Sequence, residues 1–313
     1  MTFLELCQAV ISEGGISNDA ALTTVTGQRD MLGRVVNWVS RAWVEIQEKH
    51  IDWGFLRVED VASVNTTAGT YIYTPADMGI VDGYSEVRFT VGGASAPSAG
   101  DTLTQSISGV VTATIKNVVL DFGAWADSNA VGRLIISGAD GNFQSGAGTI
   151  TGGLTVTIAE QQKPITFNAW VWDSFRVYDT TAGRGGETML TPQTYGYMRD
   201  VFLFGGTLNT RTRPSDVSEI PSNHSIVLGP IPAGGYTVTA DYYKQPVVLT
   251  NDTDVPDIPA QHHMIIAYRA LWKYGLYEAA SEVTQYAKYE YEPKMYALNR
   301  EWRPMVRFGG GLA

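Results

Sequence analysis

Cysteine is almost missing from this chain, with one residue, Cys7, among 313. A single thiol excludes an intrachain disulfide framework and removes the ligands of a Cys-based zinc site. Its setting, Phe3-Leu4-Glu5-Leu6-Cys7, marks it as a small buried apolar residue rather than a reactive nucleophile. Charge is scarce as well. Asp, Glu, Lys and Arg supply 17% of the residues, and 22 basic against 32 acidic side chains leave a net charge of −10. A surface short of Lys and Arg is a poor wrapper of DNA, because that binding depends on neutralising phosphates. Long hydrophobic runs are absent too, none approaching the roughly 20 residues of a membrane helix. The opening Met1-Thr2-Phe3-Leu4-Glu5 has neither the basic nor the apolar region of a cleaved leader, so the expectation is a soluble product of a cytoplasm with no membrane partner.

Catalytic and ligand-binding patterns are equally thin. Of four histidines, His50, His224, His262 and His263, only the last two are neighbours. Adjacent helical positions point about 100° apart, which suits His262 and His263 to a helix start better than to one metal. The acidic run Asn251-Asp252-Thr253-Asp254-Val255-Pro256-Asp257 lacks the glycine and glutamate of an EF-hand loop. Asp257, two residues before Pro259, is expected to cap a helix instead. Gly146-Ala147-Gly148 and Gly152-Gly153 match neither a phosphate loop nor a dinucleotide fingerprint and are read as turns. No Gly-x-Ser-x-Gly elbow occurs, and no carboxylate pair stands out. No catalytic residue, cofactor or metal is therefore assigned, and an enzyme is the weakest functional class.

What the chain does have is a core. Apolar residues reach 44%, with eight Trp and sixteen Tyr. Phe3, Leu6, Cys7, Val10 and Ile11 recur at helical steps over residues 2–13, and Leu32, Val35, Val36, Val39, Ala42, Trp43 and Ile46 do so up to Lys49. Trp43 lies on the continuous stripe and is read as a core residue; Trp38 lies off it, so that helix should be contacted on two faces. Val58 to Tyr73 predicts a hairpin turning near Thr67-Ala68-Gly69, and Ser225–Leu228 with Tyr236–Tyr243 predicts another turning at Gly234-Gly235. Thr194–Phe202 reads as a short helix. Pro259 opens a helix lined by Met264, Ile265, Tyr268, Leu271, Trp272 and Leu276, ending near Gly275. A further helix follows with Val283, Tyr286, Ala287, Tyr291 and Met295, interrupted by Pro293.

Between these segments, residues 82–166 are rich in Gly, Thr, Ser and Val, and aromatic strand texture resumes at Trp170–Tyr178. The resulting fold class is α+β: a helical core of packed long helices with β-hairpins, plus an inserted small all-β domain. Residues 1–81 and 167–301 make one discontinuous domain and 82–166 the insert. Residues 302–313 form a C-terminal assembly arm. In and just before that arm, Arg300, Arg303 and Arg307 concentrate positive charge, Trp302, Met305, Val306 and Phe308 offer apolar anchors, and three glycines follow. These seven side chains are the candidate interface to a partner or a neighbouring subunit.

Several stretches together resemble the adaptor, or head-to-tail connector, proteins of tailed bacteriophages. They are Met1-Thr-Phe-Leu-Glu-Leu-Cys7, Thr24-Val-Thr-Gly-Gln28, Val35-Val-Asn-Trp-Val39, Ala42-Trp43-Val-Glu-Ile-Gln47 and Trp172-Asp-Ser-Phe-Arg-Val-Tyr-Asp179. Ala240-Asp-Tyr-Tyr-Lys-Gln-Pro246, Asp252-Thr-Asp-Val-Pro-Asp-Ile-Pro259 and Met264-Ile-Ile-Ala-Tyr-Arg-Ala270 complete the set. The insert departs from the pattern; its Ala130–Ser137 and Gly141–Gly146 look like small β modules found across phage structural proteins. The resemblance implies a virion subunit forming a dodecameric ring with helices side by side. Its partners would be the capsid portal protein above and a tail or nozzle protein below, and DNA would pass through a central channel without specific binding. The alternatives are another tail or baseplate component whose β insert binds glycans, and an enzyme with an unmarked site.

Overall fold

The computed structural model describes residues 1–16, 21–81, 83–107, 109–159, 162–181 and 183–303. Five α-helices run through them: α1 (Phe3–Glu13), α2 (Asp30–Glu48), α3 (Tyr195–Val201), α4 (Met264–Tyr277) and α5 (Ser281–Trp302). None of the described helices is long and apolar enough to cross a membrane. Two compact units divide the chain, residues 1–57 with 245–313, and residues 58–244.

Helices build the first unit. A reciprocal cap starts α1: the Glu5 amide donates to Thr2 Oγ1 at 3.3 Å while the Thr2 amide donates to the Glu5 carboxylate at 2.9 Å. Phe3, Leu6, Cys7 and Val10 then face inward, as their spacing predicts. Burial, with Asp252 nearby, pushes the Cys7 thiol up to about 12, so it stays protonated and inert. Helix α2 buries Val35, Val39, Ala42, Trp43 and Ile46. Trp38, off that stripe, meets the rings of Tyr274 and Tyr277 at 6.0 and 5.5 Å, the second contacted face. Helix α4 packs against α1, α2 and α5. Gly275 permits the tight approach of α5, since a Cβ there would fall 2.5 Å from Thr284 Oγ1.

Both neighbouring histidines sit at a helix start: His262 closes a 3₁₀ turn and His263 leads into α4. Pro259, not Asp257, is the N-cap of that turn. The His263 ring is buried between two fixed partners. Its Nδ1 lies 2.7 Å from the Met1 ammonium, which can only donate, and Nε2 lies 2.9 Å from the Ile258 carbonyl, which can only accept. The neutral Nε2–H tautomer satisfies both. Burial, ahead of the charge of the amino terminus, holds this imidazole below its ordinary 6.5. An unfolded chain takes up that proton first, so the stability contributed by neutral His263 is complete above about pH 6.5 and is lost as pH falls through the folded-state value. Urea midpoints should therefore drop between about pH 7 and pH 5, and His263→Gln should flatten that drop; equal slopes in both proteins would refute the assignment.

The second unit is β-rich. Strands β1 (Arg57–Asn65) and β2 (Ile72–Tyr73) precede six others: β3 (Tyr84–Val91), β4 (Thr102–Ser106), β5 (Val110–Phe122), β6 (Val131–Ser137), β7 (Gly146–Ile150) and β8 (Leu154–Ile158). These six pair in the order β3-β6-β5-β4-β7-β8 and return to β3, closing a barrel. Alternating residues such as Val87, Phe89, Leu103, Ile115, Leu134, Ile136, Val156 and Ile158 fill it. Closure leaves none of the six as an edge.

After β9 (Lys163–Pro164) come β10 (Ala169–Trp170), β11 (Arg176–Asp179), β12 (Thr188–Met189), β13 (Thr191–Pro192), β14 (Arg211–Thr212), β15 (Asp216–Ile220), β16 (Ser225–Gly229), β17 (Ile231–Pro232) and the longer β18 (Tyr236–Tyr243). One sheet runs β1-β18-β11-β12 with β10 also on β18; a second runs β13-β15-β16-β2. Val61, Phe175, Val177, Val217, Ile226, Leu228, Val238 and Tyr242 form the core shared by these sheets. Ile135 of β6 joins that core while its neighbours Leu134 and Ile136 point into the barrel. This double covering explains why β6 is buried residue after residue.

The fold class read from the sequence is thus corrected. Eighteen described strands outnumber five helices of 7 to 22 residues, and a mostly β protein with a closed six-stranded barrel replaces a helical core of long packed helices. Two-residue strands carry no readable period, which hid β12, β13, β14 and β17. Neither predicted hairpin forms: β1 pairs with β18 while β2 pairs with β16, and β16 pairs with β15 and β2 rather than β18. Thr67–Thr70 and Gly234-Gly235 do turn the chain, but the first passes it from the β1 sheet to the β2 sheet, and the second leads from β17, which pairs with β14, into β18. Gly152 and Gly153 form the β7–β8 turn at φ +86° and +84°, whereas Gly146 and Gly148 lie within β7.

Candidate assembly surface

Glu45 on α2 organises one face of the helical unit. Its carboxylate accepts from Arg269 Nε at 2.9 Å and from Lys273 Nζ, both on α4. Burial alone would raise this carboxyl, but the hydrogen bonds from Lys273 and Arg269 outweigh it and hold the group below its ordinary value. Arg269 is thereby fixed over the Trp272 ring at 4.7 Å, and Lys49 lies over the Tyr291 ring at 5.0 Å. With Glu292, Met295, Tyr296 and Asn299 these residues line a groove of about 390 Å³. Its walls are aromatic and apolar, with two cations, Lys49 and Arg269, and one carboxylate, Glu292. Nothing here resembles a metal cage: among the described residues no three His, Cys, Asp or Glu side chains gather to hold an ion.

The groove ends at Asn299, next to the residues that composition singled out. Arg300 is exposed on α5. Trp302 is half-buried over Gly54, where a Cβ would come 3.2 Å from the Trp302 carbonyl. Arg303 Nε lies 3.6 Å from Asp52, and Glu301 accepts from His262 Nε2 at 2.8 Å. Trp302 and Arg303 therefore fasten the end of α5 to residues 52–54, and Arg300 has no ion-pair partner among the described residues. Met305, Val306, Arg307 and Phe308 lie outside the described residues. The acidic run closes a loop: Asp252 accepts from the Val25 amide at 2.5 Å, and Asp254 from the Thr250 and Asn251 amides at 2.7 and 2.8 Å.

Sequence reading missed the outward face of α5. Tyr289 and Tyr296, seven residues apart and so on one side of the helix, are 76% and 71% exposed. Tyr286, counted as core, is exposed as well, its hydroxyl donating to Glu13 at 2.9 Å. The available signal was aromatic residues at positions off the apolar stripe. Exposed tyrosine beside arginine is the composition of protein interfaces.

Residues 130–303, more than half of the chain, match a family model described as SU10 adaptor protein. The match starts just before β6 and extends past the end of α5, taking in the α4 and α5 walls of the groove. A search of curated proteins found no match.

Proposed function

Because the chain belongs to the SU10 adaptor protein family, we propose that this phage structural protein forms the ring between capsid portal and tail, with a central channel for the genome. The family match over residues 130–303 carries the reading. An adaptor is a virion component whose work is contact with other head and tail proteins, and the exposed Tyr289, Tyr296 and Arg300 with the adjoining groove supply a surface for contact. A dodecamer matches the portal implied by the resemblance, with a tail or nozzle protein as the partner below. The net charge of −10 suits a channel that lets DNA slide, since a negative wall repels the phosphate backbone. No catalytic step is assigned to it.

Negative-stain images of the purified protein mixed with portal test the reading. Rings seated on portal support it; fibres or lone monomers count against it. Within this reading Arg300 and the segment carrying Met305, Val306, Arg307 and Phe308 bind portal or a neighbouring subunit, while Trp302 and Arg303 hold the root of the arm. Truncation after Arg303 spares the Gly54 and Asp52 contacts, so the melting temperature should stay within a degree or so of the full chain. Co-sedimentation with portal should fall at least about tenfold, because a loss per subunit is multiplied around a ring. Undiminished co-sedimentation would make the segment a terminus without a partner.

A further inference from the structure

Helix α3 is apolar on both sides. Its inner face is spent on the sheet: Met198 is fully buried, and a Cβ at Gly229 would fall 2.7 Å from the Met198 methyl and 2.5 Å from the Phe202 ring. Tyr197, Val201, Phe204 and Leu208 follow at steps of four, three and four on the other side and are all exposed, Phe204 to 74%. The segment is ordered by its own bonds. Thr207 Oγ1 donates to the Phe204 carbonyl at 2.6 Å, and the Thr210 amide donates to the Thr207 carbonyl at 3.0 Å. An apolar stripe held rigidly in water marks a contact surface and has little ordering entropy left to lose on binding. Arg199 and Arg211 flank it, exposed and without an ion-pair partner among the described residues, in an acidic chain.

The complement lies on the α4–α5 corner of the same sequence. Leu276 is 65% exposed beside exposed Tyr277, and Glu278 and Glu282 stand there with no ion-pair partner among the described residues. Arg34 stacks on Tyr277 at 4.5 Å and is the one cation at that corner that the contacts record. We propose that the 197–211 segment of one copy docks on the 276–282 corner of the next, Phe204 and Leu208 covering Leu276, and Arg199 and Arg211 meeting Glu278 and Glu282. Two different patches on one chain make a heterologous, head-to-tail contact, which builds a ring when its rotation closes and a filament when it does not, rather than a pair. A second copy is the occupant because the two patches are alike in apolar character and opposite in charge sign. The inference rests on the ring reading above and names the surfaces that would build it.

Charge reversal provides the test, in wild-type and variant proteins assembled with portal and sized by light scattering. Arg199→Glu with Arg211→Glu should abolish rings at an unchanged melting temperature, and so should Glu278→Arg with Glu282→Arg; all four together should restore them. Buried, inert Cys7 leaves engineered thiols clean to read. Leu208→Cys with Leu276→Cys should give a ladder of covalent multimers on oxidation, where either single variant gives dimers at most. Rings that survive both reversals, a fourfold variant that stays dissociated, or intact rings that lose only the tail partner would each overturn the proposal and leave the ring reading standing. Wild-type protein that never forms rings would sink the ring reading itself and the contact with it.

Discussion

Trp43→Ala should lower the stability of the protein by about 3–5 kcal/mol, the range for truncating a large aromatic in a core. Trp43 is 1% exposed and starts an aromatic stack. Its ring lies 5.9 Å from Phe55 at 30°, and Phe55 lies 5.1 Å from Trp53 at 25°. Trp53 is pinned in turn, its Nε1 donating to the Ile46 carbonyl at 3.0 Å. Removing the first ring opens a cavity that the pinned neighbours cannot collapse to fill. Tyr296→Ala on the exposed face of α5 is the control and should shift stability by less than about 0.5 kcal/mol. Urea denaturation of both variants measures the contrast; a Trp43→Ala midpoint equal to wild type would mean that this ring contributes nothing to the core.

How much of this was legible depended on how local each element is. Helices α1 and α2 were readable because Leu6, Val10, Val35, Val39 and Trp43 repeat at the helical step whatever lies elsewhere in the chain. Strands β5 and β6 were recognisable as strands, but their closure with β3 into a barrel was not, since pairing is a non-local choice that sequence texture does not record. The same limit produced two false hairpins: Gly69 and Gly234-Gly235 are real turns, yet the strands on either side part into different sheets. For the assembly surface, composition found Arg300 and the residues after it. It could not find the groove, because Lys49, Arg269 and Tyr291 come together only when α2, α4 and α5 pack. Nor could it see that Trp302 is already engaged over Gly54.

Excising the barrel is the other change with a large expected effect, and it tests the proposal that residues 82–166 fold as an insert in a discontinuous domain. Geometry makes the cut feasible: the Ile165 amide donates to the Tyr84 carbonyl at 2.8 Å, so the two ends of the segment are already side by side. A short Gly-Ser linker from Tyr84 to Ile165 spans that gap and keeps both residues, which pack on the core of the two sheets. The barrel has a separate interior built on Val87, Phe89, Leu103, Leu134 and Ile158, so removing it takes away a whole core rather than half of one. Attachments to the neighbouring core are lost with it. Ile135 leaves the neighbouring core, at roughly 1.5–3 kcal/mol for one buried aliphatic side chain, and Arg133 no longer donates to the Glu59 carbonyl at 2.8 Å. The shortened protein should remain soluble, keep its helical circular dichroism and unfold cooperatively, with its stability lowered by about that amount. It should also still sediment with portal, since the groove and the α5 face are built from residues outside the barrel. Aggregation of the shortened chain would show that β6 is a structural wall of the sheet core, and that the barrel and the rest of the chain fold as one.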